Sequence, residues 1–245
     1  MLWPVLAQAG AWTQPKGRGQ AIFKYEDLRA DTGFDPEGVE RPLPAERRDT
    51  ALGLFAEYGL TNRLTLQVKA DWQEGADAFI DYDGRGPIEI GATWQAWRDD
   101  RTAVSLYGGY AVAGEGRNAG YAPPGVGERD WEARASVGRS LGHGATRWGV
   151  ERPFVEILAA RRLRDGLPDE TRVDATAGGR FGRDWLILAQ AFGGAADGGA
   201  RWLSLEGSIV RDVGSWSIQA GWRHTVAGRE TPIAHGPVVA IWRRF

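Results

Sequence analysis

Three histidines and no cysteine leave a chain of 245 residues few ways to build a catalytic or metal-binding centre. A hydrolase would need a nucleophile within hydrogen-bond reach of His143, His224 or His235. His143 falls in the turn Gly142-His143-Gly144, and His235 precedes Gly236-Pro237. His224 shares the alternation parity of Trp216, Ile218, Ala220 and Trp222. The serines that could serve it, Ser208 and Ser217, belong to the opposite face. Isolated histidines without thiols supply no metal-ligand spacing. Gly84-Arg85-Gly86 and Gly114-Glu115-Gly116 precede no helix that could complete a phosphate cradle. No enzyme activity, cofactor or metal is expected.

The charged residues carry a different chemistry. Arg63, Gln67, Lys69 and Asp71 occur at even spacing, and the same rhythm recurs at Glu89, at Glu132 and Arg134, and at Glu156. It continues at Arg172, Asp174 and Arg180, at Glu206 and at Arg223. Polar groups of both signs on one face of successive strands could form a charged constriction that selects solutes. They could equally pair across strands and fill an interior.

The elements that must position them are strands. In Arg63–Trp72, Leu64, Leu66, Val68, Ala70 and Trp72 share one face, while Arg63, Thr65, Gln67, Lys69 and Asp71 share the other. A period of two fits a strand and not a helix. Twelve such segments are predicted, near 19–28, 49–59, 63–73, 86–97, 102–113, 130–141, 150–161, 170–181, 185–195, 201–212, 215–226 and 235–245. Their connections alternate between tight ones, such as Gly59–Asn62 and Val213-Gly214, and longer ones at 29–48, 74–85, 114–129, 162–169, 196–200 and 227–234. Tight periplasmic turns, long outer loops and an even strand count are the habit of bacterial outer-membrane barrels.

The expected fold is therefore all-β, a transmembrane antiparallel up-and-down β-barrel of about twelve strands. A mean hydropathy of −0.38 agrees with it, because only alternate residues would face lipid. The apolar face carries Leu52, Leu66, Val68, Ile88, Ile90, Leu106, Val173, Leu205, Ile209 and Ile218. Tyr58, Trp72, Trp94, Trp131, Trp216 and Trp222 fit an aromatic girdle at the headgroup level, and such girdles would account for the twelve tryptophans. A soluble barrel or sandwich would instead bury the apolar face and need no terminal aromatic. A net charge of −2 argues against a nucleic-acid partner. The expected partners are outer-membrane lipids, the barrel-insertion machinery and envelope export components.

The termini carry signals of their own. Phe245 ends the last strand as an aromatic insertion signal. Ala7-Gln8-Ala9 fits a small-x-small cleavage pattern. Residues 1–9 are thus expected to be a signal-peptide remnant, and 10–245 the barrel domain of a Gram-negative outer membrane.

Ala11-Trp12-Thr13-Gln14-Pro15-Lys16-Gly17-Arg18-Gly19 resembles the opening of XagA-like outer-membrane proteins, and Glu57–Leu64 resembles their first periplasmic turn. The chain is similar also to the transporter-like barrels of the MetA-pathway phenol-degradation type. The resemblance implies a small barrel associated with surface polysaccharide export or with uptake of small hydrophobic molecules.

A transport barrel is the leading expectation: a narrow porin-like channel or an outer-membrane port. Twelve strands lie between eight, whose lumen side chains fill, and sixteen, which leave a channel. Small inward residues (Ser105, Gly109, Ser136, Gly138, Ser215, Ser217 and Gly221) should leave free volume along part of the wall. The pore would be blocked if Arg63, Arg134, Arg172 and Arg180 paired fully with Asp71, Glu132, Asp174 and Glu156. The alternative is a closed structural or adhesive barrel acting through acidic outer loops. A lipid hydrolase has the least support.

Overall fold

The computed structural model describes residues 10–79, 81–114, 127–142, 144, 146 and 149–245. The proposed leader, His143 and Gly116 lie outside them. The strands are β1 (Gly19–Phe34), β2 (Glu40–Gly59), β3 (Leu64–Ala76), β4 (Asp81–Arg98), β5 (Thr102–Val112), β6 (Arg129–Ser140) and β7 (Val150–Arg164). They continue as β8 (Glu170–Phe181), β9 (Trp185–Ala196), β10 (Arg201–Val213), β11 (Trp216–Arg229), the two-residue β12 (Thr231–Pro232) and β13 (His235–Arg244).

Each long strand pairs antiparallel with its sequence neighbour, and β1 pairs with both β2 and β13. Twelve long strands therefore form a closed up-and-down barrel. Closure matters physically because an open edge would leave backbone donors and acceptors without partners in lipid. The seam reaches the last residue: Phe245 donates its N–H to Gly19 O at 3.0 Å, and Gly19 N–H is 2.9 Å from Phe245 O.

The two faces are inverted relative to a soluble protein. Gln67 is 6% exposed, whereas its neighbours Leu66 and Val68 are 40% and 38% exposed. Leu52, Ile90, Leu106, Ile157, Val173, Ile209 and Ile218 also project from the outer wall, while Glu89, Thr93, Glu132, Glu156 and Glu206 are buried inside. An apolar exterior around a polar interior is stable only where lipid covers the exterior.

The strands run further than expected at one end. Residues 29–48 and 74–85, read above as long loops, are largely hairpin extensions of β1–β2 and β3–β4. The sequence reading ended each strand where outward apolar residues ended. The hydrogen-bond ladder needs no lipid, however, and cross-strand ion pairs carry it onward. Arg48 meets Asp27 at 3.0 Å, and Arg47 meets Asp49 at 2.7 Å and Asp77 at 3.4 Å. At the first tip, the Asp35 carboxylate accepts the N–H groups of Val39 (2.8 Å) and Glu37 (3.0 Å). Acidic loop residues therefore serve hairpin structure here.

Candidate functional site

The lumen is the candidate site, and it is layered. Its middle layer is built on β3–β8. Glu89 accepts from Arg162 at 2.8 Å, from Tyr107 at 2.7 Å, from Lys69 at 3.3 Å and from Arg134. Glu132 accepts from Arg162 at 2.5 Å, from Arg172 at 3.0 Å and from Arg134. The Arg134 guanidinium also lies 4.0 Å from the centre of the Tyr107 ring. Across the lumen, Glu206 takes Arg223 at 2.6 Å, and Arg223 reaches Glu26 at 3.1 Å. These carboxylates are individually satisfied by guanidinium groups, the arrangement a buried charge requires.

A cavity of about 470 Å³ remains beside this layer, bordered by Lys69, Asp71, Arg172, Phe55, Phe192 and Trp242 among others. A second cavity of about 840 Å³ lies at the end carrying the long hairpins, lined by Phe34, Pro42, Leu43 and Phe79 with Arg47 and Arg164. Both spaces mix charged and apolar lining: Asp35, Arg41, Asp77 and Glu230 also border the upper one.

The opposite end, which carries the tight turns and both strand termini, holds the residues that precede β1. Residues Pro15–Arg18 make a turn in which Arg18 N–H donates to Pro15 O at 3.0 Å. Gly17 sits at φ +75°, the third position of a type II turn, where a side chain would be strained. The turn sends the preceding residues back into the barrel. Ala11, Trp12, Thr13 and Gln14 are all buried. Ala11 N–H donates to Glu156 Oε2 at 3.1 Å, and Ala11 O accepts from Ser105 Oγ at 2.6 Å and Gln95 Nε2 at 3.3 Å. Gln14 N–H donates to Thr65 Oγ1 at 2.8 Å, and its side chain donates to Glu57.

Trp12 completes the plug. Its ring packs edge-on against Phe154, with centroids 6.1 Å apart. A Cβ on Gly138 would fall 2.3 Å from the same ring, so this position admits no side chain while Trp12 is seated. Ala103, Leu186, Leu188, Val210, Ala240 and Trp242 join them in an apolar cluster across the lumen floor.

The expected lumen residues divide accordingly. Lys69, Glu89, Glu132, Arg134 and Arg172 meet in the middle layer, and Asp174 interacts electrostatically with Arg172. Glu206 and Arg223 form the second group. Arg180 pairs with Asp212 at 2.6 Å near the floor. Glu156 and Gln67 hold the plug region, Gln67 through Glu57 at 3.5 Å. Asp71 sits at a register break between β3 and β4 and accepts from Gln73 at 3.0 Å. Arg63 is a correction: it lies exposed in the turn before β3, where the chain has left the wall. Ionic blockage by the proposed pairs is only partly realised, because Asp71 and Glu156 take neutral donors.

Tyr58, Trp72, Trp94, Trp131, Trp216 and Trp222 all project outward. Trp12, Trp202 and Trp242 are buried inside, so girdles do not account for every tryptophan. His224 and His235 lie on adjacent strands with ring centroids 5.8 Å apart. Ser208 and Ser217 face the lumen, bonded to Glu206 at 3.0 Å and Asp212 at 2.5 Å. The geometry brings no serine to a histidine among these.

The missed residues are Ala11–Gln14. Ser105, Ser136 and Gly138 were a visible sign of vacant wall volume. The segment that fills it has no strand periodicity to announce its place.

No family model matches the sequence, and no curated protein matches it. Among solved structures, the chain is similar to an outer-membrane channel of the COG4313 group from Pseudomonas putida F1. The TM-score is 0.71 at 12% identity, covering 97% of this chain and 99% of that one. The KdgM porin in complex with disordered oligogalacturonate gives 0.60 at 7% identity, covering 92% and 99%. The CymD monoaromatic hydrocarbon channel gives 0.54 at 11% identity, covering 95% and 89%. At these identities the likeness establishes the fold, that of outer-membrane barrels.

Proposed function

We propose that this protein is a stoppered transport barrel of a Gram-negative outer membrane, passing small molecules when its N-terminal segment leaves the lumen. The observation that carries this reading is the plug itself. Ala11–Gln14 occupy one end through hydrogen bonds and one tryptophan, while cavities remain above. The segment lies outside the strand ladder, so it can leave without breaking a strand pairing, whereas the ion-paired side chains of the middle layer belong to the wall itself.

Two cavities that each mix charged and apolar lining suit a compact amphipathic solute. The resemblance to XagA-like and MetA-pathway barrels supports the same class, and polysaccharide export is the second direction it allows. Phe245, at the seam, serves as the insertion signal in this reading.

The test is solute uptake into proteoliposomes. Trp12→Ala and Gly138→Leu should both admit small sugars several-fold faster than the wild type, the first by removing the plug side chain and the second by evicting it. Equal rates in all three would overturn the reading.

A further inference from the structure

The lumen contains two kinds of buried carboxylate. Glu26, Glu89, Glu132 and Glu206 each lie within 4 Å of a Lys or Arg. Glu57 and Glu156, both 4% exposed, have no such cation among the described residues. Glu57 accepts three side-chain amides, from Gln14, Gln20 and Gln67. Glu156 is poorer, with the backbone N–H of Ala11 as its partner among the described residues. A buried carboxylate with a single neutral donor is costly, and a cation within reach would relieve it.

The geometry supplies a place for that cation. Gly10 lies between Ser136 and Leu158, on the strands flanking and carrying Glu156. Consecutive Cα atoms are about 3.8 Å apart, so the Gly10 nitrogen lies within one residue's length of the atom already bonded to Glu156. In an uncut chain this nitrogen is a neutral amide. The residues before it, Ala7-Gln8-Ala9, fit a processing site.

We propose that Gly10 is the first residue of the mature protein and that its α-ammonium group is the counterion of Glu156. Hydrolysis of the Ala9–Gly10 peptide bond consumes one water and leaves a carboxylate on the released segment and an ammonium on Gly10. Processing thereby adds a charge beside Glu156, on top of the hydrogen bond that Ala11 N–H already makes to it. The inference does not depend on whether the barrel conducts.

The test begins with the intact mass of protein recovered from outer membranes. It continues with a pH titration of the 13C-methylated α-amine, followed by NMR in micelles and referenced to the same chain unfolded in urea. The expected mass starts at Gly10. The folded α-amine should titrate about one unit or more above its unfolded reference, which is near 7.7–8.0. Glu156→Gln should abolish that rise. A chain starting elsewhere, or a folded α-amine at or below its reference, overturns the proposal, as does an equal rise in Glu156→Gln. If that variant fails to fold, the wild-type titration alone decides.

Discussion

The middle of the lumen and its floor solve the same problem with opposite chemistry. In the middle, Glu89 and Glu132 are shared among Arg134, Arg162, Arg172 and Lys69. At the floor, Glu57 and Glu156 bind amides and a backbone N–H, and apolar rings do the filling. The ionic layer links the strands of the wall to one another. The floor links the wall to a segment outside the ladder. In the proposed reading, occlusion by the wall's own side chains is fixed, whereas the separate segment can leave without breaking a strand pairing.

The contrast can be broken first at the ionic hub. Glu132→Ala leaves three guanidinium groups short of their shared acceptor, and breaking a buried pair costs about 3–5 kcal/mol. A lowered urea midpoint in the gel-mobility assay of the folded barrel should report it. An unchanged midpoint would mean the layer is not structural.

A smaller effect separates outside from inside. Leu66→Arg places charge on the lipid face, at a cost of about 2–4 kcal/mol at the membrane midplane. Its insertion yield should fall. Gln67→Arg, one residue away, instead brings a cation to Glu57 and should insert normally with a plug region unaltered or firmer. Equal insertion of both would refute the face assignment.

The smallest effect belongs to the outer hairpin. Hydrogen bonding from the Val39 backbone N–H holds the Asp35 carboxyl below the usual carboxylate range, with Arg41 adding to it. A depressed folded value means that the stabilisation is present above the unfolded pKa of about 3.9 and is lost as pH falls through the folded value. The protection of amides 35–39, taken relative to their intrinsic exchange rates, should therefore fall in acid, and Asp35→Asn should flatten that dependence. Protection indifferent to both would remove Asp35 from the hairpin's account.

Much of the barrel was legible in the sequence because lipid on one side and charge on the other impose a strict period of two. The outward set from Leu52 to Ile218 and the inward set from Gln67 to Arg223 follow from that period alone. The hairpin extensions were hidden because ion pairs such as Asp27–Arg48 replace apolar periodicity above the membrane. Partner choice was hidden too: Arg180 meets Asp212, thirty-two positions away, and only barrel register determines that. The plug was least legible. Ala11–Gln14 form no ladder, and their burial depends on Gly17 turning the chain inward and on Gly138 making room.

The removable plug is the central claim, and the protein's lack of cysteine allows a direct test. A Cβ built on Gly10 would lie 3.8 Å from Ser136 Cβ, close to the separation across a relaxed disulfide, about 3.8 Å. Gly10→Cys combined with Ser136→Cys should therefore tether the segment in place when oxidised. In a planar bilayer the account predicts silence from the oxidised protein and ionic openings once the disulfide is reduced. Equal conductance in the two states would contradict it.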